Sequence, residues 1–356
     1  MDAHKRSLAE LMDVMADAPA LYRPSVFWEQ LVAAGLQQLQ ECGFEHFKRT
    51  VNMKYFNWNV LGIVAHQFLP VFSRWCRTPE WNVFAAEFPD YRAPRPGVKS
   101  FNPLAAAVYS LYVSMLWEAV AQQDHLGLLT RVEEPRVGNP FLVRYKNRWI
   151  SQDLCNSVHE FYSAGGDAAV DGRPWHVAEL GAGYGRLAHL FLKALPSCTY
   201  CIIDIPPALH IAERYLCEVF PGERVFRFRR FARYEDIREE FEASRIRLLA
   251  APQIALLPDK SFDLFLNISS LHEMTYAQIE NYLQQIDRLC RGHFYTKQWR
   301  VSRAKVNGCV LREGDYPLPR SWTTLYHRVH PIQRMFFEAL YRVGPSDMAP
   351  PAPAPG

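Results

Sequence analysis

"VAELGAGYGRLAHLFLK" (177–193) decides how the rest of the chain is read. An apolar run ends at Leu180. Three glycines follow at alternate positions, Gly181, Gly183 and Gly185, and an amphipathic segment continues from Arg186. Strand, glycine turn, helix is the order in which open α/β sheets build a ligand cradle, because glycine alone tolerates positive φ and lets a ligand approach the backbone.

Working outward, the texture after "DGRPW" alternates. "WHVAEL", "TYCIID", "RVFRFRR", "IRLLA", "SFDLFLNI" and "GHFYTKQ" read as strands. "PPALHIAERYLCEVF", "YEDIREEFEAS" and "TYAQIENYLQQIDRLC" read as helices between them. Such alternation predicts a Rossmann-like parallel sheet with helices on both faces. "WTTLYHRVH" and "MFFEALYRV" are joined only by "PIQR" and are expected to form an antiparallel hairpin at the sheet edge. Upstream, "SVFWEQLVAAGLQQLQECG", "NPLAAAVYSLYVSMLWEAVAQQ" and "ISQDLCNSVHEFYSAGG" are capped or glycine-terminated helices, and "EEPRVGNPFLVRYKNRWI" reads as a short hairpin. The expected organisation is a mainly helical region over 1–171, an α/β domain over 172–345 and a disordered Pro-rich tail over 346–356.

Composition narrows the function. The 356 residues are 49% hydrophobic and 22% charged, with a net charge of only +3, which gives no reason to expect a nucleic-acid partner. The run "RVFRFRRFAR" (224–233) fits a strand with one basic face, the alternative being an anionic-ligand or membrane-surface patch. The start of the chain lacks a signal-peptide pattern. The apolar stretch 103–117 is short for a bilayer span and reads as a buried helix, so no stable membrane insertion is expected. Eight cysteines without export signals suggest reduced thiols and a cytoplasmic location. Cys198 and Cys201, in "CTYC", sit on a strand whose alternation turns them to opposite faces.

The glycine turn has two qualifying carboxylates. Glu179 lies two residues before Gly181; a pyrophosphate would be repelled there, whereas an ammonium would be held. Asp204 ends the next strand, 19 residues after Gly185, where an acid accepts from ribose hydroxyls. Arg186 stands where a dinucleotide fingerprint wants its last glycine. Adenosine with a cationic amino-acid tail fits this set, which points to S-adenosylmethionine; a nicotinamide cofactor fits less well.

With these residues in view, the sequence resembles the class I S-adenosylmethionine-dependent methyltransferases. The strings "ELGAGYGRLAHLFLKALPSCTYCIIDIPPAL", "FDLFLNISSLHEMT", "FYTKQW" and "ISQDL" resemble, more narrowly, a bacterial family of sugar O-methyltransferases, over about 25–343. The resemblance implies that Glu179 and the backbone of Gly181, Gly183 and Gly185 hold the methionine portion. It implies Asp204 on the ribose, Ile205 on the adenine face and Gln253 at the adenine edge. Asn267 and Ser269 become strand-end contacts. His272 is the expected general base, with Glu273 orienting it, acting as base itself or capping the next helix. Gln152 and Asp153 belong to the same family pattern, Asp153 being a cap or a substrate contact.

Weaker candidates are His159 and Glu160, expected on a solvated helix face, His327 and His330 on the terminal hairpin, and Tyr55, Phe56 and Trp58 as ring-stacking or core residues. Without a tight cluster of acids, no metal is expected. The expected partners are a small-molecule or glycan acceptor, with a homo-oligomer possible in principle. A methyltransferase-like subunit that binds without turnover is the alternative to an enzyme.

Overall fold

The computed structural model describes residues 3–51, 64–171, 173–302 and 310–344. Tyr55, Phe56, Trp58 and the tail from 346 lie outside these residues. The first part of the chain carries α1 (Ala3–Asp17), α2 (Val26–Cys42), α3 (Leu69–Trp75), α4 (Pro103–Ala121), α5 (Leu128–Arg131), the hairpin β1 (Val143–Tyr145) and β2 (Arg148–Ile150), and α6 (Gln152–Ser163). From there the elements alternate: β3 (His176–Leu180), α7 (Arg186–Ala194), β4 (Thr199–Asp204), α8 (Ala208–Val219), β5 (Val225–Phe226), α9 (Arg238–Ala243), β6 (Ile246–Ala250), β7 (Phe262–Ile268), α10 (Tyr276–Leu289) and β8 (Cys290–Trp299). Two short strands, β9 (Val301–Ser302) and β10 (Leu311–Arg312), precede the closing hairpin of β11 (Thr323–Val329) and β12 (Phe336–Arg342).

The eight-stranded sheet has the order β11-β12-β8-β7-β3-β4-β6-β5. β3 pairs in parallel with both β4 and β7, and β12 runs antiparallel between β8 and β11. This is the expected Rossmann-like sheet. The chain moves outward from β3 through β4 and then returns to β7 on its other side. A crevice therefore opens beyond the carboxyl ends of β3 and β7, where open α/β sheets take their ligands.

Local sequence explains most boundaries. Asn102 caps α4, its Oδ1 accepting from Ala105 N at 2.8 Å, and Ser151 caps α6, accepting from Leu154 N at 2.9 Å. Asp153 is therefore not the cap. Lys146 and Asn147, both at positive φ, turn the β1–β2 hairpin. Helix α4 is long and apolar enough to cross a membrane, but 61% of that window is buried within the fold. One apolar cluster joins Leu11, Tyr112 and Val158 to Val177, Leu190 and Tyr295, so the helical part and the sheet share a core across the expected 171/172 boundary.

The expected basic strand "RVFRFRR" shrinks to Val225–Phe226. Its later backbone groups leave the ladder for side chains: Phe228 N donates to Glu213 Oε2 at 3.0 Å and Arg230 N to Glu10 Oε1 at 3.2 Å. Gln253 Nε2 donates to Arg229 O at 2.8 Å.

A second correction concerns α6. His159 and Glu160, expected in solvent, are 1% and 0% exposed. Glu160 binds Lys297 Nζ of β8 at 2.8 Å and Arg186 Nη1 of α7 at 2.6 Å, pinning α6 to the sheet. Burial pushes its carboxyl up, but the two cations overcome this and hold it at about 2. Replacing Glu160 by Gln strands Lys297, itself buried, and should lower unfolding free energy by about 3–5 kcal/mol. Urea denaturation checks this; a loss below about 1 kcal/mol would mean that the pair contributes little net stability.

Candidate active site

The crevice at the β3–β7 junction holds a cleft of about 1050 Å³, its open mouth included. Gly181 and Gly183 form its floor, and Glu179, Asp204, Ile205, Ala251, Ser269 and Glu273 stand along its walls. The opposite wall was not legible in the sequence: Tyr22, Arg23, Pro24, Ser25 and Trp28 cross over from the N-terminal helices. Ser25 Oγ donates to Glu273 O at 3.0 Å, Gln278 Nε2 donates to Arg23 O at 2.7 Å, and the Tyr22 ring meets Tyr282 edge-on.

The glycines divide the work. Gly181 has φ +73°, and a Cβ there would lie 2.4 Å from Ser270 Oγ. Gly183 donates its N–H to Asp204 Oδ2 at 2.9 Å. Gly185 does not line the cleft. Its missing Cβ would sit 3.2 Å from Ile202 Cδ1, so it serves the close packing of α7 on β4.

Both strand-end acids are buried and face the cleft. Asp204 also accepts from Ile205 N at 2.7 Å; burial still raises it to about 7. Glu179 accepts from Tyr200 OH at 2.7 Å. Burial raises Glu179 to about 7 as well, with the Tyr200 hydroxyl opposing. Tyr200 lies on β4 opposite Val177 in the parallel register, which brings its hydroxyl to Glu179 two residues further along β3. Arg186 lines the cleft beside its partner Glu160. Tyr184, also on the wall, donates to Asp153 Oδ2 at 2.7 Å, linking "ISQDL" to the glycine turn. Gln152 reaches Gln67 Oε1 at 3.4 Å instead.

Three expected contacts are placed elsewhere. Gln253 spends its amide on the backbone: Oε1 accepts from Ala250 N at 2.8 Å and Nε2 goes to Arg229 O. Asn267 is fully buried, with Nδ2 donating to Leu180 O at 2.9 Å and to Ser270 Oγ at 2.7 Å. It braces β7 against β3 rather than facing a ligand. His272 is not on the cleft wall. Its ring stacks on Trp299 with centroids 5.1 Å apart, and Nδ1 meets Gln298 Oε1 at 2.9 Å. Burial lowers its pKa to about 4. Glu273, next in sequence, is the group that reaches the cleft; burial raises it to about 8, against a hydrogen bond from Trp28. Ser269, at φ +59°, keeps its expected place on the wall.

No protein-family model matches this chain, and no curated protein matches it in sequence. The resemblance to sugar O-methyltransferases therefore stands on the quoted strings alone. Several similar solved structures are methyltransferases by name. One is a candidate sarcosine dimethylglycine methyltransferase from Galdieria sulphuraria, 12% identical, covering 55% of this chain and 88% of its own, with a TM-score of 0.39. Another is the 1,6-didemethyltoxoflavin N1-methyltransferase of Burkholderia thailandensis, solved with S-adenosylhomocysteine: 19% identity, 51% and 77% coverage, TM-score 0.35. A third is an S-adenosylmethionine-dependent methyltransferase from Mesorhizobium loti, with 14% identity, 49% and 94% coverage and TM-score 0.34. These overlaps are partial and the identities low, so the fold rests on the strand order itself.

Among the described residues, one group has the donor atoms for a metal: His159, His330 and Glu338, with ligand atoms within 4.8 Å of one another. Its wiring suits an ion-pair network better. Glu338 already accepts from Tyr295 OH at 3.0 Å and Arg328 Nε at 2.7 Å. His330 Nδ1 accepts from the N–H groups of Ile332 and Gln333, at 3.2 and 2.9 Å, which puts the ring proton on Nε2, the atom a metal would need bare. His327 is apart from this group, stacked on Phe337 at 4.9 Å between centroids.

Because the Tyr200 hydroxyl favours the ionised form of Glu179, Tyr200→Phe should move the Glu179 titration above about 7. Carboxyl-labelled NMR titration checks the direction; an unchanged or lower midpoint would mean that the hydroxyl does not govern this acid.

Proposed function

We propose that the chain is an S-adenosylmethionine-dependent methyltransferase whose acceptor is a sugar hydroxyl, on a nucleotide sugar or on a polysaccharide or glycolipid precursor. The observation that carries the cofactor reading is the pair of buried acids, Glu179 and Asp204, facing one cleft across the glycine turn. The donor set fits. An ammonium placed at Glu179 repays the burial of a carboxylate that otherwise resists ionisation, and ribose hydroxyls at Asp204 do the same by hydrogen bonding. Ile205 and Ala251 offer an apolar slot for an adenine ring. A pyrophosphate entering the same turn would meet Glu179, which disfavours a dinucleotide.

When bound, the cofactor supplies an electrophilic methyl group. What this chain adds is position and a proton acceptor. Glu273 stands on the wall beside Ser269 and Ser270, at the carboxyl end of β7. A carboxyl group held near 8 is a better match to a hydroxyl proton at neutral pH than an ordinary glutamate, which favours Glu273 as the base. His272 then acts from behind it. The Tyr22–Trp28 segment closes the cleft and shields the site from water, and the acceptor's sugar identity is carried in this reading by the "NISSLHEM" and "DIPPAL" strings. A cytoplasmic enzyme acting on a soluble or membrane-presented acceptor is consistent with the sequence.

Calorimetric titration with S-adenosylhomocysteine, with NADH as control, tests the cofactor. Binding should weaken at least about tenfold in Asp204→Ala, the scale of one lost charge-assisted hydrogen bond. Glu179 and Asp204 serve only as carboxylates, and both titrate at about 7 in the free protein, so affinity should rise with pH through that region and fall below it. Preference for NADH would overturn the reading. In acceptor screens with sugars, Glu273→Gln should lower turnover by about 10²–10⁴-fold while S-adenosylhomocysteine still binds.

A further inference from the structure

Behind Glu273 runs a chain of hydrogen bonds whose donors and acceptors can be assigned without ambiguity, because it starts and ends on backbone groups. Leu271 N–H donates to Asn267 Oδ1 at 3.2 Å, and Asn267 Nδ2 donates to Leu180 O, so the orientation of that amide is set. Gln298 Nε2 donates to Asn267 Oδ1 at 2.6 Å and to Thr296 Oγ1 at 2.9 Å. Gln298 Oε1 must then face the other way, where the His272 backbone N–H donates to it at 3.2 Å. The same oxygen lies 2.9 Å from His272 Nδ1. An amide oxygen only accepts, so Nδ1 carries the ring proton. In a neutral ring Nε2 is left with a lone pair, and it lies 3.7 Å from Glu273 Oε1.

We propose that Gln298 is a positioning residue: it locks His272 as the Nδ1–H tautomer, so that the ring turns a lone pair rather than a proton toward the Glu273 carboxyl. This rests on the reading of Glu273 as the group that meets the acceptor. At 3.7 Å the contact acts electrostatically: a lone pair at Nε2 favours a protonated carboxyl and repels an ionised one. The opposite tautomer would donate to the carboxylate and stabilise it. Gln298 therefore keeps Glu273 proton-hungry, and a hydroxyl proton that passes to a Glu273 oxygen then stands opposite the His272 Nε2 lone pair. The O–H bond of the acceptor breaks, a carboxyl O–H forms, and His272 stays neutral, its own proton remaining on Nδ1 and donated to Gln298 Oε1.

The groups around the pair are consistent with this. His272 is enclosed by Gln298, the Trp299 face and the Phe336 edge, and its carbonyl accepts from Ser302 Oγ at 2.9 Å. Glu273 meets the Trp28 indole from α2 and, among the described residues, has no lysine or arginine within ion-pair distance. Burial lowers His272 to about 4, which keeps the ring neutral, and raises Glu273 to about 8.

The test is spectroscopic and needs no turnover. Ring-labelled ¹⁵N-histidine in the full chain, with His272→Gln to assign the signal, reports the tautomer directly. The wild type should show a protonated Nδ1 and a bare Nε2 at His272; a protonated Nε2 would overturn the proposal outright, whether or not Gln298→Leu folds. Gln298→Leu should populate both tautomers and lower the Glu273 titration midpoint by at least about one unit, the scale of one hydrogen bond to a charged form. A folded Gln298→Leu protein with tautomer and midpoint unchanged would also sink it. S-adenosylhomocysteine titration of the same samples separates the two readings. Failure of the wild type to bind would remove the cofactor assignment, while the tautomer signal still decides the role of Gln298.

Discussion

Asn267 holds the sheet together at the point where the chain doubles back across it. Its amide donates to the last carbonyl of β3 and to Ser270, and accepts from Leu271 and Gln298. Every polar group of that side chain is spent inside the protein, which is the condition for burying an amide at no net loss. The consequence is geometric. The end of β3, the turn after β7 and the end of β8 are fixed relative to one another, so Gly181 can approach Ser270 more closely than any other residue would allow. The cleft is shaped by this junction before any ligand-facing side chain is considered.

On that frame the site collects carboxyl groups that burial makes reluctant to ionise. Glu179, Asp204 and Glu273 are all raised well above ordinary acids, and for each the dominant cause is loss of water. Glu160 on α6 and Glu338 on β12 go the opposite way because Arg186, Lys297, Arg328 and histidines stand against them. The protein thus separates two kinds of buried acid. Those paired with internal cations brace α6 and β12 on the sheet. Those with no cation paired directly to them line the cleft, where a ligand can supply charge or hydrogen bonds.

The sheet was legible because its signals are local: short apolar runs alternating with amphipathic segments, and glycines and prolines at the turns between them. The glycine turn and its two acids were legible because their spacing along the chain fixes their place at strand ends. What escaped the sequence depends on contacts across long separations. Nothing in "LYRPSVFW" shows that it will close a cleft about 250 residues away, and the hydropathy of "SVHEFY" does not reveal that His159 and Glu160 turn inward toward Lys297 and Glu338. The contraction of "RVFRFRR" follows from carboxylates of Glu10 and Glu213 competing for its backbone. Gln253 and Asn267 were misjudged for a common reason: an amide at a strand end looks the same in sequence whether it serves a ligand or the backbone.

His272 and Glu273 illustrate the same limit at a finer scale. Neighbours in a tight turn point to different sides, and a sequence offers no way to tell which faces the ligand. Here the stacking of His272 on Trp299 and its bond to Gln298 draw the imidazole into the core, which leaves the carboxyl on the wall. In the proposed reading the role of base passes to the residue with the less favourable intrinsic pKa, and burial raises Glu273 to about 8. The histidine keeps its influence through the orientation of one lone pair, which is fixed by an amide that is itself fixed by Asn267. The interaction that joins the sheet halves is in this way also the origin of the wiring behind the site.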